Sequence, residues 1–100
     1  MDNSEDLLKH ELNNQTAKLE WQELERHFAR GVVIKIAPQL DLVEVALCMS
    51  RDDKTRIAAW MEDGHVGHPS IEDAQRWVEN KPLFWAVVAA PWVLIQEIED

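Results

Sequence analysis

The sequence predicts an α+β fold in a single domain over residues 1–100. Four helices pack on a small sheet of two to three strands, in the order α-β-α-α-α-β-β. Three observations carry this reading. Stretches with apolar residues at helical spacing recur along the chain. One short run, Val32–Ala37, is β-branched. A twelve-residue block, Phe84–Ile95, has no hydrogen-bonding side-chain group apart from two indole N–H groups. A block so apolar must be buried, and it falls short of the roughly 20 residues a membrane-spanning helix needs. At 100 residues, with 46% hydrophobic and 29% charged residues, the chain has the composition of a globular domain that builds a core without disulfides.

Ser4 is placed to cap the first helix, followed by Glu5 and Asp6 at its positive end, and Gly31 is the natural stop. Advancing 100° per residue puts Leu8, Leu12 and Leu19 on one side. Ala17, Trp21, Leu24 and Phe28 fall nearly opposite. Either the helix breaks at Asn13–Asn14, or it is continuous and covered on both faces. The continuous helix is the reading adopted, with Leu8, Leu12 and Leu19 set against a second subunit.

Val32–Ala37 is the first strand, ended by Pro38. Asp41 then caps a helix through Met49, with Glu44 placed to close a capping box and Leu40 and Val45 to form a hydrophobic staple. A third helix, Asp53–Glu62, turns Ile57, Trp60 and Met61 to one side and stops at Gly64. His65–Pro69 is a loop. Ser70 and Asp73 start a fourth helix to Glu79 that buries Ile71, Ala74, Trp77 and Val78, and Lys81–Pro82 ends it. The strands Phe84–Ala89 and Trp92–Ile98 remain. Their link at Ala89–Pro91 lacks the Gly, Asn or Asp of tight hairpins, so a hairpin and one strand bent at Pro91 are both open. A continuous strand would set Trp85 and Trp92, seven apart, on opposite faces. The element order parallels a winged helix apart from the fourth helix, which is analogy of fold alone.

Five Trp, two Phe and no Tyr make the core indole-rich, and each buried indole is expected to find an acceptor for its N–H. The net charge of −9 is spread along the chain and repels phosphate backbones and anionic membranes. Cys48, the one cysteine, reads as a small buried hydrophobe in a reducing compartment. The polar, acidic first fifteen residues resemble no secretory signal, and the expected location is the cytoplasm.

No catalytic signature emerges. Cys48 has no histidine at helical spacing, the serines are explained as caps and turns, and no G-x-S-x-G elbow or phosphate-binding glycine loop exists. The expectation is a protein that is not an enzyme and takes no cofactor. His65-x-x-His68 is the one spacing resembling a metal-ligand pair, which Cys48, Asp63 or Asp73 would have to complete. Arg51, Lys54 and Arg56 would serve a groove-reading helix, but Asp52, Asp53, Glu62 and Asp63 offset them.

Trp21-x-Glu23-Leu24, Phe28-Ala29-x-Gly31, Leu40-Asp41-Leu42-Val43-x-Val45-Ala46 and Trp85-Ala86-Val87-Val88-x-x-Pro91-Trp92-Val93-Leu94-Ile95-Gln96 span nearly the whole chain. In these stretches it resembles a small bacterial family catalogued as domain of unknown function 2288. The resemblance implies a stand-alone bacterial protein of about this length and supplies no activity, cofactor or catalytic residue. The resulting expectation is a cytoplasmic interaction or adaptor module that self-associates, as a homodimer or larger homo-oligomer. Leu8, Leu12, Leu19, Trp85 and Trp92 are its interface candidates. The alternatives are a winged-helix-like nucleic-acid regulator and a metal-binding protein using His65 and His68.

Overall fold

The two opposed apolar stripes of the N-terminal segment are satisfied by a sheet that runs between them. The computed structural model describes the backbone of residues 3–98 and the side chains of residues 7–98. The segment forms two helices, α1 (Asn3–Gln15) and α2 (Trp21–Ala29), joined by a strand, β1 (Ala17–Glu20). The expected continuous helix is therefore corrected. Thr16 ends α1: its Oγ1 donates to the Leu12 carbonyl at 2.9 Å and its N–H to the Asn13 carbonyl at 3.3 Å. Side-chain bonding of this kind competes with the helical ladder, and Asn13 and Asn14 favour helix only slightly. The helix already runs at Asn3, so Ser4 lies inside it instead of capping it, and its side chain is outside the described ones. Glu20 caps α2 in a capping box, its N–H donating to Glu23 Oε2 at 2.8 Å.

Gly31, with φ of 75°, turns the chain into β2 (Val33–Ile36). Asp41 caps α3 (Leu42–Ser50) as expected, accepting from the N–H groups of Val43 at 3.0 Å and Glu44 at 3.3 Å. Glu44 does not close the box. Its carboxylate pairs with Arg56 at 3.2 Å and Lys9 at 3.9 Å. Asp53 caps α4 (Lys54–Glu62) through Arg56 N–H, and the expected loop at His65–Pro69 contains a two-residue strand, β3 (Val66–Gly67). Ser70 and Asp73 form the capping box of α5 (Ile71–Asn80), which Lys81 ends with φ of 51°.

The apolar tail is a hairpin, β4 (Leu83–Ala89) and β5 (Trp92–Glu97), with Ala89 opposite Trp92. Ala90 and Pro91 connect them, and the Ala90–Pro91 peptide is cis, as in turns that take proline at the third position. The sheet order is β1-β4-β5-β2-β3, with β2 and β5 parallel and every other pair antiparallel. The α+β class stands, with five helices and five strands among the described residues where four helices and two to three strands were expected. A mixed five-stranded sheet with helices on both faces also ends the winged-helix parallel.

One face carries Ile34, Ile36, Val87, Ala89 and Leu94 against Leu12, Val45, Ala46 and Leu47. The other carries Val33, Phe84, Ala86, Val93 and Ile95 against Trp21, Leu24 and Trp77. The second cluster is aromatic. Trp21 lies 4.9 Å from Trp77 and Trp77 lies 5.0 Å edge-on from Phe84, centroid to centroid. Neither indole N–H of this pair reaches a protein acceptor, contrary to expectation. The tail is thus covered on both faces, and both covers come from the chain itself. The two outer helices are shallower than their sequences promised: Met61 on α4 is exposed, as are Ile71 and Val78 on α5, while Trp77 is buried.

Candidate functional site

Two places gather polar or exposed apolar groups. The first is a cleft of about 460 Å³ that holds both loop histidines together with Lys35, Ser70 and Asp73. Pairing of Gly67 opposite Lys35 brings the His65–His68 loop to the start of α5. Asp73 is fully engaged there. Its Oδ2 accepts from Ser70 N–H at 3.0 Å, and its Oδ1 accepts from Lys35 Nζ and Arg76 Nη2, each at 3.0 Å. Burial by itself raises this carboxyl's pKa. The bonds from Ser70 and Lys35 outweigh it and pull the value down to about 2. A carboxylate held so firmly ionised is a poor general base near neutral pH.

The histidine pair gains no further metal ligands. Among the described residues, no three His, Cys, Asp or Glu side chains converge as a metal site requires. Trp92 instead lies edge-on to His68, centroids 5.9 Å apart. Cys48 is buried, and that burial pushes its thiol pKa up, against the nearby Arg56 guanidinium. On α4, Arg56 is paired with Glu44 and lies over the Trp60 ring at 5.5 Å, while Lys54 meets Asp52 at 3.8 Å. Two of the three bases proposed for groove reading, Lys54 and Arg56, are thus turned to this protein's own acids.

The second place is the β1 end of the sheet. The interface candidates sort sharply here. Leu12 is buried in the core, and Leu8 packs half-buried beside it. Leu19 leans on the aromatic cluster from the edge strand, and Trp92 is half-buried against the other core. The stripe expected to meet a second subunit is divided: Leu8 and Leu12 pack into the first core, and Leu19 lies in β1 against the second. Trp85 alone among the candidates stays substantially open, at 37% exposure, beside Leu83 at 45%. The hairpin sets Trp85 and Trp92 on one face, not on two, because Trp85 opposes Gln96 and Trp92 opposes Ala89. Lys18 Nζ lies 5.1 Å from the Trp85 ring centre, holding a cation over an exposed indole.

The polarity of the edge follows from the ladder. Each residue of an antiparallel strand sends its N–H and C=O the same way, and neighbours alternate. Ile98 N–H donates to the Leu83 carbonyl at 2.9 Å, so Leu83, Trp85 and Val87 face β5. Phe84 and Ala86 therefore bond Leu19 and Ala17, so Lys18 directs its backbone groups outward, while those of Glu20, on the same side, serve the start of α2. Sequence reasoning missed this edge. Ala, Lys, Leu and Glu all favour helix, and four residues are too few for an alternating pattern to stand out.

Residues 7–97 match the model of a family described as "Protein of unknown function (DUF2288)". The fold is similar to that in the NMR solution structure of PA1075 from Pseudomonas aeruginosa, at 39% identity and a TM-score of 0.83. The match covers 100% of this chain and 93% of that one. No curated protein matches.

Proposed function

Starting from a chain that belongs to the DUF2288 family, whose description states no activity, we propose a non-enzymatic protein-contact module that associates with itself through the β1 end of its sheet. One observation carries the reading: an open edge strand lies beside Trp85 and Leu83, both large, apolar and partly exposed. Tryptophan is among the residues most often found at the energetic centre of an interface. The opposite edge, β3, is two residues long and offers little for pairing. The polar cleft supports the same conclusion from the other side, because its one strongly acidic group is spent on Lys35, Arg76 and the α5 cap.

The test is the mass of the native chain in solution and of Trp85→Ala, measured by light scattering across a concentration series. Truncating an indole that is already partly exposed spares both cores. The expected result is a mass above the monomer for the native chain and a shift toward the monomer for the variant. Monomeric native protein at every concentration would remove the reading.

A further inference from the structure

We propose that β1 pairs antiparallel with β1 of a second copy about a two-fold axis through Leu19, joining two five-stranded sheets edge to edge. The inference rests on the self-association read above and names its surface.

The geometry restricts the choices. Two antiparallel edges join only where outward-pointing residues oppose one another, and on β1 those residues are Lys18 and Glu20. A two-fold axis through Lys18 sets lysine against lysine, and one through Glu20 sets glutamate against glutamate. An axis through Leu19 sets Lys18 of each copy against Glu20 of the other. Opposite charges across a strand pair stabilise it, and like charges directly opposed destabilise it. The segment Lys18-Leu19-Glu20 is therefore complementary in charge to an antiparallel copy of itself, as an isologous contact requires. A lone lysine on an edge blunts pairing. A lysine two residues before a glutamate does the reverse for this partner.

The seam is small. Lys18 N–H of each copy meets the Glu20 carbonyl of the other. The reciprocal bond needs Glu20 N–H, which Glu23 Oε2 holds at 2.8 Å within the α2 cap. The Glu20 carbonyl already accepts the first helical bond of α2, so each Lys18 N–H takes its second lone pair, and two such shared bonds, two ion pairs and a Leu19–Leu19 contact make up the seam. Trp85 lies under Lys18 and sets where its ammonium stands. With each copy carrying −9, the association is weak and depends on concentration, and it is best observed at about 0.15 M salt, where screening acts within about 8 Å.

The experiment is sedimentation velocity on the full chain, from micromolar to millimolar, with three kinds of variant. Lys18→Glu is expected to weaken dimerisation at least tenfold, and Glu20→Lys does the same with circular dichroism confirming that α2 persists. An equimolar mixture of these two variants is expected to associate again, because every pair across the seam is then opposite in sign. Leu19→Cys in a Cys48→Ser background is expected to form a disulfide-linked dimer under mild oxidation, since residues on the axis face each other closely. A native chain that stays monomeric removes both the self-association and this seam. A native dimer indifferent to Lys18→Glu, with no Leu19→Cys cross-link and no rescue on mixing, leaves self-association standing and overturns the seam.

Discussion

Asp73 shows how one side chain ties a loop, a helix and a strand together. It caps α5 through Ser70, holds Lys35 of β2 and meets Arg76. Its carboxyl has a pKa near 2 in the folded chain, against an ordinary value of 3.8. A depressed carboxylate pKa stabilises the fold above the unfolded value, and that stability is lost as pH falls through the folded value. The contribution is about 2 kcal/mol, present above about pH 4 and disappearing toward pH 2. Urea denaturation of Asp73→Asn at pH 5 and near pH 2 is the check. The native chain is expected to lose its advantage over the variant across that interval. Equal differences at both ends would show that Asp73 acts by packing and not by charge.

At the scale of elements, the capping chemistry was the most legible part of the chain. Asp41, Asp53 and the Ser70–Asp73 pair all start helices where short polar side chains precede apolar periodicity. Asp41→Ala removes the acceptor for two backbone N–H groups and is expected to cost about 1 kcal/mol, read as a lowered denaturation midpoint. A cost near zero would mean that water serves those groups as well. What stayed illegible has two causes. β1 and β3 depend on partners distant in sequence, and the hairpin depends on an unusual turn. Ala17–Glu20 extends because Phe84 and Ala86 bond it, against its own helical propensity. Val66–Gly67 becomes a strand only beside Lys35 and Ile36. The turn at Ala90–Pro91 relies on a cis peptide, which the usual Gly, Asn and Asp signals do not report.

The whole molecule explains why the stripes of the first segment looked like a subunit interface. Leu12 and Trp21 do face opposite ways, but the sheet stands between them, and α1 and α2 cover its two faces. Of the candidate site, Trp85 was readable as a large apolar residue in a two-faced tail. Lys18, Glu20 and Leu83 were not, because their role comes from lying at one end of the sheet. Among the described residues, no helix is long and apolar enough to cross a membrane.

The most direct measurement is amide hydrogen exchange at Lys18, followed by NMR as the native chain is concentrated. Leu19 N–H belongs to the intramolecular ladder and is expected to be protected throughout, while Lys18 N–H exchanges freely when dilute and slows as copies pair. Lys18 exchange that stays fast and independent of concentration, in samples whose mass shows no association, would contradict the account.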